Sequence, residues 1–353
     1  FPIKALHYHN IPWITKGGID FLDSVSASDK PFFLYIAPTA IHGPNHQENL
    51  TEDLKYTVEG YVPEVAQYQP DSLGLIEAAS TYSVVDAHRF AGIAHIDHQV
   101  GLLVEDLKAK GIYESTAIIF MADHNIEPGK ATCYHKGTNV PLIIKWPGTK
   151  QGVVSDALVS NVDILPTLVT AAGADRTPGL SSDGADLTPL LTGAQSKIRD
   201  HTFSEAGYTR SVFDGRFKYI ALRFPQAVNE SIKNGGLVVA PNHLNVPRQA
   251  HSRIASKYHQ DYFDGDQLYD IQTDPYEQNN LANDPKFADD LRRLQSVLQQ
   301  QVASFDHPFD LEDATLSSAH YQKLIVKARE AIDLSDIAWF MRDHGRMVWP
   351  PEE

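Results

Sequence analysis

Three short apolar runs punctuate the first half of the chain: "PFFLYIAPT" (31–39), "TAIIFMAD" (116–123) and "VPLIIKWPG" (140–148). Runs of this length, closed by proline, glycine or an acid, fit strands buried on both faces. Between the first two lies a long stretch, 82–110, in which Val85, Ala91, Ile93, Ala94, Val100, Leu103 and Leu107 recur near helical spacing. It ends in "KAKGI", whose Gly111 suits a helix stop. A second helix is predicted over 161–173, "NVDILPTLVTAAG". Strands interleaved with helices predict an α/β fold with a mixed, largely parallel sheet flanked by helices.

The texture changes after residue 195. Stretches such as "RSVFDGRFKYIAL" and "DQLYDIQTDP" read as short strands with turns, and a charged amphipathic helix follows near 286–304. A chain of 353 residues exceeds the roughly 250–300 over which one core keeps growing. The expected division is therefore a main α/β domain over 1–195 and a smaller α+β subdomain with a helical tail over 196–353. Segment 228–260, rich in Asn, His and Gly, reads as a long loop.

With 42% hydrophobic and 21% charged residues the chain has a globular composition. Its net charge of −15 argues against nucleic acid and anionic membrane as partners, since both select clustered lysine and arginine. The lone cysteine, Cys133, excludes an internal disulfide and a four-cysteine zinc site. No apolar segment approaches the roughly 20 residues that span a bilayer, and the first residues lack the pattern of a signal peptide.

Open α/β sheets bind ligands beyond the carboxyl ends of their strands. Two predicted strands deliver polar groups there: His42 follows the first, and Asp123 with His124 the second. An Asp-His pair offers a hard oxygen and an imidazole, able to complete a divalent metal site if other carboxylates join. Taken alone, such a pair reads first as a turn acid beside a surface histidine. Downstream, "GKATCYHKGTNVPLIIKWPG" places Lys130 in a glycine-preceded loop before the chain re-enters the sheet.

This stretch resembles the type I (formylglycine-dependent) sulfatases of the alkaline-phosphatase superfamily, which carry a pattern like "SDHG…GKGTxYEGGxRVPLIVRWPG". The match falls on Asp123, His124, Gly129, Lys130, Tyr134, Gly137, Val140, Pro141 and the final "WPG". Further anchors keep the family's order: "PFFLYIAPTAIHGPN", "VSNVDILPTLVTAAG", "SDGADLTPLLTG", "GRFKYI" and "LYDIQTDPYEQNNLAND". The resemblance implies hydrolysis of sulfate esters, on a sulfated carbohydrate, by a formylglycine nucleophile acting on a metal-polarised sulfate. It implies Asp123 and His124 as ligands of Ca2+, with Mg2+ as the alternative ion, and Lys130 and His42 as the groups serving the sulfate and the leaving alcohol. It also implies a periplasmic or secreted setting.

The departures are as informative. The family's N-terminal acidic pair, its C-x-[PA]-S-R or serine signature and its "GKWHxG" segment are absent, so the expected nucleophile lies outside this chain. Cys133 is followed by "YHKG" and lacks the required arginine; it reads as a loop or core thiol. "YHKGTN" replaces "YEGGxR", so His135 and Lys136 either add positive charge toward a polyanionic substrate or form a solvated surface pair. His7 or His9 of "HYHN" is a candidate for a sugar subsite. Two rivals stay open: a phosphodiesterase or phosphonate hydrolase of the same superfamily, and a noncatalytic binder of sulfated glycans. Oligomeric state is not legible.

Overall fold

The computed structural model describes residues 10–28, 30–39, 50–51, 53–82, 87–125, 129–149, 152–174, 183–224, 226, 229–230, 234, 255–305, 309 and 311. These fall into two compact units, one reaching to Thr116 and one beginning at Ala117.

Among the described residues, the first unit carries the helices α1 (Ile11–Val25), α2 (Ser72–Ser80) and α3 (Ala87–Ala109). Pro12 lies in the first turn of α1, where its missing N–H has no intrahelical role. Asp71 starts α2 by accepting the Gly74 N–H at 3.1 Å. α3 packs on both other helices. Its buried stripe runs through Ala91, His95 and Gln99, with Leu107 further on, the four-residue spacing that keeps side chains on one face. Gln99 Nε2 donates to the Tyr68 carbonyl at 2.6 Å. His95 is fully buried, and burial lowers its imidazole to about 4. A small hairpin, β1 (Tyr56–Thr57) and β2 (Gly60–Tyr61), completes the unit.

Segment 31–39 departs from the strand expected there. It alternates in burial as a strand would, with Phe32, Leu34 and Ile36 half-buried, but it forms no ladder among the described residues. Phe32 meets the edge of Phe21 on α1, and Ile36 lies against Gly18, where a Cβ would come within 2.9 Å of it. The opposite face is open: Phe33 is 71% and Tyr35 79% exposed. One packed face, rather than two, is what the helices here provide.

In the second unit, β3 (Ile118–Met121) and β4 (Leu142–Lys145) pair antiparallel, with Ile119 opposite Ile144. After β4 come a capping box at Ser160 and Asp163 and then α5 (Ile164–Ala171). Asp163 is fully buried and fully engaged: it accepts from the Ser160 and Ala185 backbone N–H groups and from the Arg199 guanidinium. The main sheet is an antiparallel meander, β5 (Thr202–Ala206), β6 (Thr209–Phe213), β7 (Phe217–Leu222) and β8 (Asp266–Asp270). The ladders among the described residues are thus antiparallel, where a largely parallel sheet is expected from the sequence.

The meander is covered on both faces, which is why every residue of β7 is buried. Phe217, Tyr219 and Ala221 pack with Leu268 against Leu294, Leu298 and Val302 of the helix Ala288–Val302. Each fully buried Leu, Val or Phe among them contributes about 1.5–3 kcal/mol. Ile220 and Tyr269 point the other way, into a cluster with Cys133, Tyr134, Ala255 and Tyr262. The loop between β3 and β4 therefore lies on the second face of the meander.

Candidate functional site

The β3–β4 hairpin continues past its ladder. The Ala122 N–H donates to the Pro141 carbonyl at 3.4 Å, the Asn125 N–H to Gly137 at 3.3 Å, and Asn125 Nδ2 to Asn139 at 2.9 Å. These bonds hold Asp123 and His124 beside the segment where the chain returns. His124 Nδ1 lies 2.9 Å from the Asn125 carbonyl. A carbonyl only accepts, so Nδ1 carries a proton, and Nε2 is the nitrogen left to face a metal ion. That nitrogen is 3.3 Å from Asp123 Oδ2, a spacing that lets both atoms reach one cation. The Asp123 side chain is 84% exposed, so its carboxylate is accessible.

The pair fits part of a divalent-ion site. A carboxylate oxygen and an imidazole nitrogen are suitable donors, yet no third His, Cys, Asp or Glu joins them among the described residues. His42, His7 and His9 lie outside the described residues.

Lys130 sits at the other end of the same loop, between buried Gly129 and Ala131. Ala131 has φ +61°, a left-handed conformation that costs a residue with a Cβ roughly 1–2 kcal/mol. Backbone strain of this kind persists where the surroundings over-determine it. Here they do: a Cβ on Gly129 or on Gly137 would come inside 3.0 Å of the other's backbone, so the two strands of the loop cross in direct contact. The Gly129 carbonyl also accepts from the Thr132 hydroxyl at 2.6 Å.

After the crossing the chain makes a single helical turn, α4 (His135–Thr138). The His135 ring meets the edge of Phe213, and burial lowers it to about 4, helped by the charge of Lys218. Lys136 Nζ lies 4.6 Å from the centre of the Tyr276 ring and 5.7 Å from that of Tyr258. Burial lowers this ammonium as well. Both residues are thus engaged by aromatic side chains of the C-terminal part rather than solvated as a free pair.

Several residues that hold this loop carry no local signal in the sequence. Glu277 is buried, with φ +55°, and both its carboxylate oxygens accept from the His135 N–H, at 2.9 and 2.8 Å. Burial raises it to about 7, against the pull of Lys218. Lys218 is buried too, which lowers its ammonium, and it donates to the Thr138 hydroxyl at 2.8 Å. Tyr134 donates to Gln267 Oε1 at 2.7 Å and stacks on His259, ring centres 3.5 Å apart. Burial lowers His259 to about 4. "GRFKYI" and "LYDIQTDPYE" supply Lys218 and Glu277; each motif is recognisable, but its contact with the loop is not.

Cys133 is buried with its thiol 3.4 Å from the Thr209 hydroxyl, and burial raises its pKa. A buried neutral thiol is a poor nucleophile, in keeping with a core role.

A family model described as Sulfatase matches residues 13–174. An ulvan-active sulfatase of Formosa agariphila is 26% identical over 283 residues, 76% of this chain and 44% of that protein. A putative sulfatase of Bacteroides fragilis shares the fold at TM-score 0.56 and 16% identity, over 85% of this chain and 60% of that one. A protein solved with its substrate D-glucosamine-2-N,6-O-disulfate does so at TM-score 0.51 and 18% identity, over 86% of this chain and 71% of its own. The chain spans about half the length of the curated relatives it matches. No helix among the described residues is long and apolar enough to cross a membrane. The ordered motifs, the family model over residues 13–174 and the shared α/β fold agree: the chain is similar to sulfatases.

Proposed function

We propose that the complete gene product containing this chain hydrolyses sulfate esters on a sulfated carbohydrate. The observation that carries this reading is the facing pair His124 Nε2 and Asp123 Oδ2, 3.3 Å apart, on the loop that also bears Lys130. Those two atoms would hold part of the shell of a divalent cation; the oxygen favours calcium, and magnesium would use the same donors. Such an ion, when bound, supplies positive charge to the sulfate oxygens.

The chain's own contribution is charge placement. Lys130 offers a fixed ammonium where negative charge grows on the ester oxygens, in a loop whose glycine crossing leaves it little freedom. His42 is assigned the proton for the leaving alcohol. The nucleophile assigned is a formylglycine, for which these 353 residues carry no signature.

A chain of net charge −15 repels a polyanion at long range. Local cations must offset that, and Lys130 and Lys136 are assigned this part; His135, as an uncharged ring, and His9 are further candidates for sugar contact. The half-exposed Tyr276 ring beneath Lys136 adds an apolar face that suits a saccharide. The names of the ulvan-active relative and of the neighbour solved with a disulfated glucosamine support the same substrate class. A secreted or periplasmic setting, where such polymers are met, goes with this reading. The test is a side-by-side assay of the complete gene product on sulfate and phosphate esters of the same saccharides. Sulfate release supports the reading, and release of phosphate alone replaces it with a phosphohydrolase.

A further inference from the structure

Two buried ionisable residues outside the proposed chemistry meet where β7 and the 274–280 turn approach the loop of Lys130. Glu277 and Lys218 are 1% and 2% exposed. Each spends its polar atoms on the single turn 135–138: Glu277 takes the His135 N–H with both oxygens, and Lys218 gives a hydrogen to Thr138. These contacts join residues 142 and 80 positions apart. The described residues of this unit that hold positive φ without being glycine are Ala131 and Glu277. One adjoins Lys130, and the other grips the far end of its loop.

We propose that Glu277 and Lys218 are positioning residues for Lys130, fixing the 135–138 turn from the sheet side and passing that constraint to the lysine through the Gly129–Gly137 crossing. The inference rests on the reading that Lys130 serves the sulfate. Stability alone gives little reason for the pair: apolar replacement of buried charges is often neutral or stabilising, whereas removing one partner is strongly destabilising. Two buried charges kept for loop geometry, one of them on a residue with positive φ, fit a demand for fixed placement. The charges also act on one another, each drawing the other toward its ionised form against the effect of burial.

The experiment compares E277Q, K218M and the double variant in the complete gene product. It reads kcat and KM on para-nitrophenyl sulfate, thermal melting, and hydrogen exchange of the 129–139 amides. Displacing a catalytic group by an ångström costs on the order of a hundredfold. The expected result is a fall in kcat of at least about tenfold in each variant with KM little changed. Exchange should rise in 129–139 while β7 and β8 stay protected. The double variant, which leaves no lone buried charge, should regain melting temperature without regaining kcat. Recovery of kcat together with melting temperature would overturn the proposal, as would unchanged exchange of the loop in E277Q. If the unsubstituted protein releases no sulfate, the functional reading fails, and loop exchange still decides the positioning claim.

Discussion

Gly129 and Gly137 cross so closely that neither can carry a β-carbon: added to either, it would lie inside 3.0 Å of the other's backbone. This contact ties the residue before Lys130 to the turn held by Glu277. Gly137→Ala is expected to force the loop apart. Overpacking typically costs about 1–3 kcal/mol, so melting temperature should fall by several degrees, and calcium response and activity should fall with it. An alanine variant that melts like the parent would mean the crossing is not as tight as described.

Ala131 offers the converse substitution. Its φ of +61° is relieved by glycine, although glycine also loosens the unfolded chain by about 0.4–1 kcal/mol. Against a left-handed penalty of roughly 1–2 kcal/mol, Ala131→Gly should stabilise by up to about 1.6 kcal/mol, measured by chemical denaturation. Loss of stability would show that this strain is not carried by Ala131.

Buried imidazoles set the acid limit. His95, His135 and His259 are each lowered to about 4 from 6.5, by burial first and then by His98, by Lys218, and by Lys136 with Lys218 respectively. Between those values the unfolded chain binds more protons, so the stability present above pH 6.5 is lost as pH falls toward 4. Glu277 acts in the opposite sense: raised from 4.5 to about 7, it contributes stability below 4.5 that is lost as pH rises through 7. Three imidazoles outweigh one carboxyl, so melting temperature should drop from pH 6.5 to 4. His95→Gln should flatten that drop, and an unaltered profile would count against a buried neutral His95.

Much of this architecture is legible from residue patterns, and the rest fails for identifiable reasons. The predicted helix over 82–110 appears as Ala87–Ala109, and the one near 286–304 as Ala288–Val302, because apolar spacing and capping are local. The two apolar runs that flank the Asp-His loop are strands, but their antiparallel pairing depends on how the loop folds back. "PFFLYIAPT" has strand-like alternation with one face packed on α1, and a buried-strand pattern does not reveal which faces find a partner. Asp123, His124 and Lys130 stand out as a motif. Glu277 and Lys218 do not, since only folding brings them to the turn.

The facing His124 Nε2 and Asp123 Oδ2 predict a thermal shift. Calcium should raise the melting temperature of the complete gene product, by about 2.7 kcal/mol of stability at a hundredfold excess over Kd. Asp123→Asn should weaken this response. An equal shift in the variant would remove Asp123 from the ion's shell.

Whether Lys130 stabilises charge on a sulfate ester is decided by Lys130→Ala in the complete gene product. Steady-state sulfate release should show kcat lower by about a hundredfold or more, the scale for losing a preorganised donor, with melting temperature preserved. A kcat equal to that of the parent protein would remove Lys130 from the chemistry.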